Sequence, residues 1–115
     1  MNRILLAFSI FSVSAISFAQ TITLSSFQST KDHPVVVSYV TGVGVGYGYA
    51  NALLMSEGKP LMFCQPMGLT LIGKNYIQLI ENEAKRPSFG KSYPADAVVE
   101  VILLNSLQAN FPCRK

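Results

Sequence analysis

The chain has 115 residues, which is enough for one domain. Nine basic and six acidic side chains give a net charge of only +3, and apart from the terminal Arg114 and Lys115 these charges are scattered. Such a weak and dispersed positive charge does not indicate a nucleic-acid-binding protein.

The first 19 residues have the pattern of a cleavable signal peptide. Arg3 precedes an apolar segment at 4–18, and Ser17 and Ala19 supply the small residues expected before a cleavage site ahead of Gln20. A transmembrane anchor is the alternative, but four serines interrupt the segment, and a bilayer requires about 20 apolar residues. We therefore predict cleavage near Ala19, an exported product and no stable membrane insertion of that product.

The two cysteines, Cys64 and Cys113, are predicted to form a disulfide because an exported chain folds in an oxidising compartment. The bridge would close a loop of about 50 residues and stabilise the fold by roughly 4 kcal/mol on the chain-entropy model. Two buried free thiols are the alternative. A zinc site is less suitable, since His33 is the only further soft ligand and three ligands are too few.

Residues 20–33 are rich in Ser and Thr and are predicted to form a flexible N-terminal arm, with at most a short extended piece at 22–24. Asp32 and Pro34 then mark a helix start. An Asp side chain can cap free backbone N–H groups, and Pro suits the first helical turn.

The segment Val35–Met55 carries conflicting signals. Residues 41–50 alternate as a strand does, and four glycines inside a helix would cost about 0.8–1 kcal/mol each relative to Ala. A helix is equally consistent with the apolar spacing of three and four residues along one side. The other long segments are helical and supply no partner strand, which favours a helix. Its Gly42, Gly46 and Ala50 would then form a smooth surface for packing against the last helix.

Residues 56–67 contain glycine and prolines and are predicted to be a loop that carries Cys64. A helix is predicted at 71–86, with Thr70 as the candidate cap and Pro87 after its end.

A second loop is predicted at 88–93. Residues 95–109, with Pro94 in the first turn, are apolar nearly all round. A buried strand is possible for such a run, but its length favours a buried helix.

No catalytic or cofactor motif is complete. The G-x-G-x-x-G pattern fails because Tyr47 or Tyr49 stands at the third glycine. The segment from Gly68 to Lys74 approximates a phosphate-binding loop, but Asn75 replaces the Ser or Thr that would hold Mg²⁺. The only histidine lies in the polar arm, and no nucleophile–base or paired-carboxylate arrangement is apparent. We therefore predict no enzyme activity, no cofactor and no metal.

Three segments resemble one known family. They are Tyr39–Gly44 with Ala50–Leu54, then Phe63–Pro66 leading to Tyr76, and finally Leu103–Leu107 with Phe111–Cys113. In this order they resemble the Rap/Tai family of periplasmic immunity proteins of bacterial type VI secretion systems, over residues 34–115.

The resemblance implies a disulfide-tied helical domain without enzyme activity. It also implies a periplasmic partner, a cell-wall amidase effector whose active-site cleft the protein would block, and it allows a homodimer. Cys64 and Cys113 match two family cysteines, whereas the cysteines of a second bridge common in the family are absent here.

We therefore expect an all-α domain of three main helices after a signal peptide at 1–19 and an arm at 20–33. The expected function is periplasmic inhibition of a peptidoglycan-cleaving effector; a structural or chaperone-like module without a toxin partner is the alternative. The loops 57–66 and 88–93 are the candidate binding surface, with these candidate contact residues: Glu57, Lys59, Gln65, Lys91 and Tyr93.

Overall fold

The computed structural model describes residues 21–114, which form four α-helices and no β-strand. They are α1 (Leu24–Thr30), α2 (Pro34–Ser56), α3 (Gly73–Lys85) and α4 (Val99–Asn110). This confirms the all-α prediction. The predicted signal peptide at 1–19 lies outside the described residues.

Residues 24–30, which the sequence analysis assigned to a flexible arm, form helix α1. Thr23 caps it, because its hydroxyl oxygen accepts a hydrogen bond from the Ser26 backbone N–H at 3.3 Å. Leu24 and Phe27, three residues apart, enter the core, and Phe27 is only 1% exposed. These two apolar residues, one helical turn apart, therefore hold the Ser/Thr-rich segment against the core. The arm prediction is wrong for residues 24–30.

Helix α4 begins four residues later than predicted because residues 95–98 make other contacts. The Ala97 N–H closes a turn onto the Pro94 carbonyl at 3.0 Å, and Thr23 and Val98 form an isolated antiparallel bridge. The Val99 N–H donates to the Ile22 carbonyl at 3.0 Å. These bonds tie the start of the described chain to the start of α4.

Helix α2 confirms the helical interpretation of the glycine-rich segment. Its cap is His33 rather than Asp32: the His33 Nδ1 accepts from the Val35 N–H at 3.3 Å, and Pro34 occupies the first helical position. Val36 and Val40 are buried against the other helices. Tertiary burial along this side outweighs the local preference for a strand.

The glycines of α2 differ sharply in their surroundings. A side chain at Gly44 would collide with the ring of Tyr76 on α3, so this glycine allows α2 and α3 to approach. Gly42 and Gly46 are exposed, and a Cβ at either would meet no atom within 4 Å. The predicted packing of Gly42, Gly46 and Ala50 against α4 is therefore wrong. Each exposed glycine still costs about 0.8–1 kcal/mol relative to Ala.

Helix α3 begins at Gly73, two residues later than predicted, and Ile72 is its N-cap residue instead of Thr70. The Asn75 side-chain oxygen accepts from the Ile72 N–H at 2.9 Å. A Cβ at Gly73 would lie 2.7 Å from a methyl carbon of Val37, so the helix start sits directly against α2.

The core lies where α2, α3 and α4 contact one another. Helix α4 contributes most to it, as its apolar composition predicts. The core side chains that are at most 1% exposed come from all four helices: Phe27, Val40, Ile80, Val99, Ile102, Leu103 and Leu107. The buried hydroxyl of Ser106 donates to the Leu79 carbonyl at 2.8 Å, which removes the cost of burying it.

Candidate protein-binding surface

The loop 57–72, here called the disulfide loop, connects α2 to α3. Cys64 and Cys113 are bonded, with their Cα atoms 4.8 Å apart, which confirms the predicted bridge. The Cys64 N–H also donates to the Phe111 carbonyl at 2.7 Å. The middle of the loop is therefore held against the segment that follows α4.

Asn51 holds the same loop from the side of α2. Its amide nitrogen donates to the Phe63 carbonyl at 2.7 Å, and its oxygen accepts from the Met62 N–H at 2.9 Å. Phe63 is 3% exposed and packs in the core. Residues 62–64 are thus fixed by one covalent bond, by hydrogen bonds between their backbone groups and the Asn51 side chain and Phe111 carbonyl, and by burial.

A shallow apolar groove runs between α2 and the disulfide loop. Two adjoining depressions share Gly48, Ala52 and Gln65. A Cβ at Gly48 would meet no atom within 4 Å, so the floor of the groove is open at this point. The walls include Tyr49 and Leu69, which are 74% and 42% exposed. Exposed apolar surface of this kind marks sites of protein contact.

The predicted contact residues on this loop have different roles. Gln65 lines the groove, and its amide also donates to the Leu69 carbonyl. Glu57 and Lys59 form an exposed ion pair with each other at 2.6 Å, just after α2 ends. An exposed pair like this contributes little stability, so both side chains can exchange partners at low cost.

The loop 86–98, here called the carboxylate loop, carries the other two predicted contact residues. Lys91 is exposed. Tyr93 is half-buried: its hydroxyl donates to Glu83 Oε1 at 2.7 Å and accepts from the Asn105 amide at 2.9 Å. Burial is the main cause that raises the pKa of Tyr93. This tyrosine therefore anchors its own loop to α3 and α4.

Glu83, on helix α3, is the central anchor of this loop, and the sequence analysis missed it. It is 5% exposed and accepts hydrogen bonds from the Ser88 N–H at 2.8 Å and the Ser88 hydroxyl at 2.6 Å. Burial acts to raise its pKa, but the hydrogen bonds from Ser88 and Tyr93 outweigh burial and hold the pKa below its ordinary value. Its spacing from Tyr76 and Ile80 places it on the buried side of α3, and that spacing was the available signal.

A polar cavity lies beside this network, lined among others by Glu83, Arg86, Ser88 and Asn110. Both oxygens of Glu83 already accept hydrogen bonds from Ser88, so the carboxylate serves to hold the loop. Within residues 21–114, no group of three His, Cys, Asp or Glu side chains is placed to hold a metal ion.

Two tyrosines of α2 connect that helix to α4. The Tyr39 hydroxyl donates to Glu100 Oε1, and the Tyr47 hydroxyl donates to the Glu100 carbonyl at 2.9 Å. The hydrogen bond to Glu100, followed by burial, raises the pKa of Tyr39 to about 12. Tyr39 and Tyr47 therefore hold α2 and α4 together, whereas Tyr49 is exposed at the groove.

No protein-family model, curated protein or solved structure matches the chain. Among residues 21–114, no helix combines the length and the hydrophobicity needed to cross a membrane. The likeness to the Rap/Tai family therefore rests on the three sequence segments that carry it.

Proposed function

We propose that the protein is a periplasmic immunity protein that binds and blocks a peptidoglycan-cleaving effector of a type VI secretion system. The family resemblance and the signal-peptide pattern support the proposal. The observation that carries it is a loop that the Cys64–Cys113 bridge anchors and that exposes the apolar side chains of Met67 and Leu69.

Inhibition would be steric. Met67 is fully exposed and Leu69 is partly exposed, and they lie a few residues after the anchored segment 62–64. A loop already fixed by a disulfide loses little conformational entropy on binding, which favours affinity. Large apolar side chains at the centre of an interface provide most of its binding energy. The loop would therefore enter the effector's cleft, with Glu57 and Lys59 at the polar rim.

The test is binding and inhibition measured with purified candidate cell-wall amidases. The wild-type protein should bind one of them and suppress its hydrolysis of peptidoglycan. Met67→Asp should weaken binding by roughly tenfold or more, since a charge would enter an apolar contact. Failure of every tested amidase to bind would leave the immunity proposal without support.

Phe89→Asp is a matched control, because Phe89 is a 70% exposed apolar residue on the carboxylate loop. Unchanged binding by this variant, with loss by Met67→Asp, places the contact at the disulfide loop alone. Loss in both variants shows that the two loops contact the effector together. Loss in neither contradicts the assignment of this surface.

The second candidate function is a periplasmic structural or chaperone-like module without a toxin partner. The groove supports this second candidate because an open apolar channel also accommodates an extended, unfolded polypeptide. Suppression of aggregation of an unfolded client, with loss of that effect in Leu69→Asp at the groove wall and no amidase binding, would select this function.

A further inference from the structure

Met67 lies at the tip of a tight turn in the disulfide loop. The Leu69 N–H donates to the Pro66 carbonyl at 3.2 Å, and Gly68, directly after Met67, has a φ of 84°. A positive φ at the third position is what a type II turn requires, and glycine adopts it without strain. The Gln65 amide fixes the far end of the turn by donating to the Leu69 carbonyl. The turn therefore presents the Met67 side chain to solvent.

The three methionines of residues 21–114 differ in exposure. Met67 is 101% exposed and Met55 is 65% exposed, whereas Met62 is half-buried and packs against the core. The two cysteines of the chain are bonded to each other, so they offer no thiol that would compete for an oxidant. An oxidant must reach the thioether sulfur to react with it, so susceptibility follows exposure. Met67 is therefore the sulfur of this surface that an oxidant meets first.

We propose that Met67 is a reversible oxidation site, whose conversion to methionine sulfoxide changes the tip of the disulfide loop from apolar to polar. The oxidant is a peroxide, which donates one oxygen atom. The sulfur lone pair attacks a peroxide oxygen, so an S–O bond forms while the O–O bond breaks. The departing hydroxide takes the proton from the oxygen now on sulfur and leaves as water. Sulfur loses two electrons and the peroxide gains them. Methionine sulfoxide reductases, which use a thiol reductant, reverse the step.

The fold does not depend on the group that is oxidised. A sulfoxide disrupts packing where the methionine is buried, as Met62 is in part, but Met67 is outside the core and already in water. The loop is held by the Cys64 bridge and by the side chains of Asn51 and Gln65. Oxidation therefore leaves the loop and the groove in place and changes only the chemistry of the exposed tip.

The oxidation site stands on exposure and turn geometry, whereas its effect on binding rests on the proposed function, which places Met67 against an effector. A sulfoxide oxygen enclosed in an apolar contact would lose its hydrogen bonds to water without gaining new ones. Oxidation of Met67 should therefore raise the dissociation constant of the complex by roughly tenfold.

Limited treatment of the purified protein with dilute hydrogen peroxide tests the site itself. Tandem mass spectrometry of its peptides should find the added oxygen first at Met67, next at Met55 and last at Met62. The singly oxidised protein should elute earlier from a hydrophobic-interaction column and keep the unfolding midpoint of untreated protein. A methionine sulfoxide reductase should restore the original elution. Oxidation of Met55 or Met62 ahead of Met67 overturns the proposal, as does a fall in the unfolding midpoint after single oxidation.

Met67→Leu is the matched variant for the effect on binding, because leucine is apolar and similar in size but has no sulfur. It should bind an amidase like the wild type and keep that binding after peroxide treatment. Met55→Leu removes the other exposed sulfur and should lose binding on treatment as the wild type does. Binding that survives complete oxidation of Met67, or that is lost equally in treated Met67→Leu, overturns the switch. If no amidase binds even the untreated protein, the proposed function fails, and the order of oxidation still decides the oxidation site.

Discussion

The disulfide loop and the carboxylate loop are both long for connections between packed helices, and they are ordered in different ways. Residues 57–72 are held by a covalent bond and by the side chain of Asn51. Residues 86–98 have no covalent anchor: the part up to Tyr93 is held by hydrogen bonds that converge on Glu83 and Tyr93, and residues 95–98 are held by backbone contacts with residues 23–25. Within residues 21–114, no hydrogen bond or ion pair connects the two loops.

The two loops are therefore sensitive to different conditions. The anchors of the disulfide loop contain no group that titrates, so this loop responds to reductant and not to acid. The first part of the carboxylate loop depends on one ionised buried carboxyl, that of Glu83, so it responds to acid and not to reductant. The following variants test this contrast, in order of decreasing expected effect.

Removing the bridge should have the largest effect. Cys64→Ser combined with Cys113→Ser should lower the free energy of unfolding by roughly 4 kcal/mol, because the unfolded chain regains the freedom of a long loop. For a domain of this size, that corresponds to a fall in melting temperature of about 15–30 °C. Reductant should reproduce the loss in the wild type and have no effect on the double variant. An unchanged melting temperature would contradict the structural role of the bridge.

Glu83→Gln should lower the free energy of unfolding at neutral pH by about 2–3 kcal/mol, since hydrogen bonds to an ionised group are stronger than those to an amide. The folded pKa lies below the ordinary value of 4.5. Ionised Glu83 therefore contributes stability above that pH, and this contribution is lost as the pH falls through the lower folded value.

Urea unfolding at neutral and acidic pH measures this effect of Glu83. The wild type should lose stability on acidification, and Glu83→Gln should lose less. Glu57→Gln, at an exposed glutamate of the disulfide loop, is the control and should behave like the wild type. Equal acid sensitivity of the wild type and Glu83→Gln would show that another group governs the pH dependence.

Asn51→Ala should lower the free energy of unfolding by about 2 kcal/mol, because the Met62 N–H and the Phe63 carbonyl lose their partner in a buried setting. Asn82→Ala removes the same side chain from an exposed position on α3 and should change stability by less than about 0.5 kcal/mol. Chemical denaturation of the two variants compares them. Equal effects would mean that the bridge alone orders the disulfide loop.

Tyr93→Phe should have the smallest effect, about 1 kcal/mol, because it removes one hydroxyl from a half-buried network. Tyr49→Phe alters an exposed tyrosine and should leave stability unchanged. Thermal unfolding distinguishes them. A larger loss of stability in Tyr93→Phe than in Glu83→Gln would show that Tyr93, and not Glu83, is the main anchor of the carboxylate loop.

The fold class, the three main helices and the disulfide were predictable from sequence. Apolar periodicity is visible in the local sequence spacing, and disulfide formation depends on the compartment in which the chain folds. Both can therefore be inferred without knowledge of tertiary contacts. The cap at His33 is a local contact with the Val35 N–H, but the neighbouring Asp32 is also a suitable capping residue, so the sequence did not distinguish the two. The late start of α4 was not predictable, because it depends on contacts with distant residues. Val98, for example, pairs with Thr23 instead of extending the helix.

The loop surface was harder to predict than the fold. The sequence analysis selected the polar and proline-containing segments as the binding surface. In the structure Gln65 lines the groove, whereas the Tyr93 hydroxyl is hydrogen-bonded to Glu83 inside the fold. The packing glycine was misassigned for a related reason. All four glycines of α2 look alike in sequence, and only the position of Tyr76 shows that Gly44 is the one in contact.

The bridge between Cys64 and Cys113 also divides the chain mechanically. Helices α3 and α4 lie inside the covalent ring, whereas α1 and α2 precede it. If the chain is pulled from residues 21 and 114, only the part up to Cys64 can extend, which is roughly 150 Å of contour. Reduction would roughly double that length. The described chain thus consists of a two-helix segment that can be extended by force and a two-helix segment closed by the disulfide. Its extensibility depends on whether that one bond is oxidised or reduced.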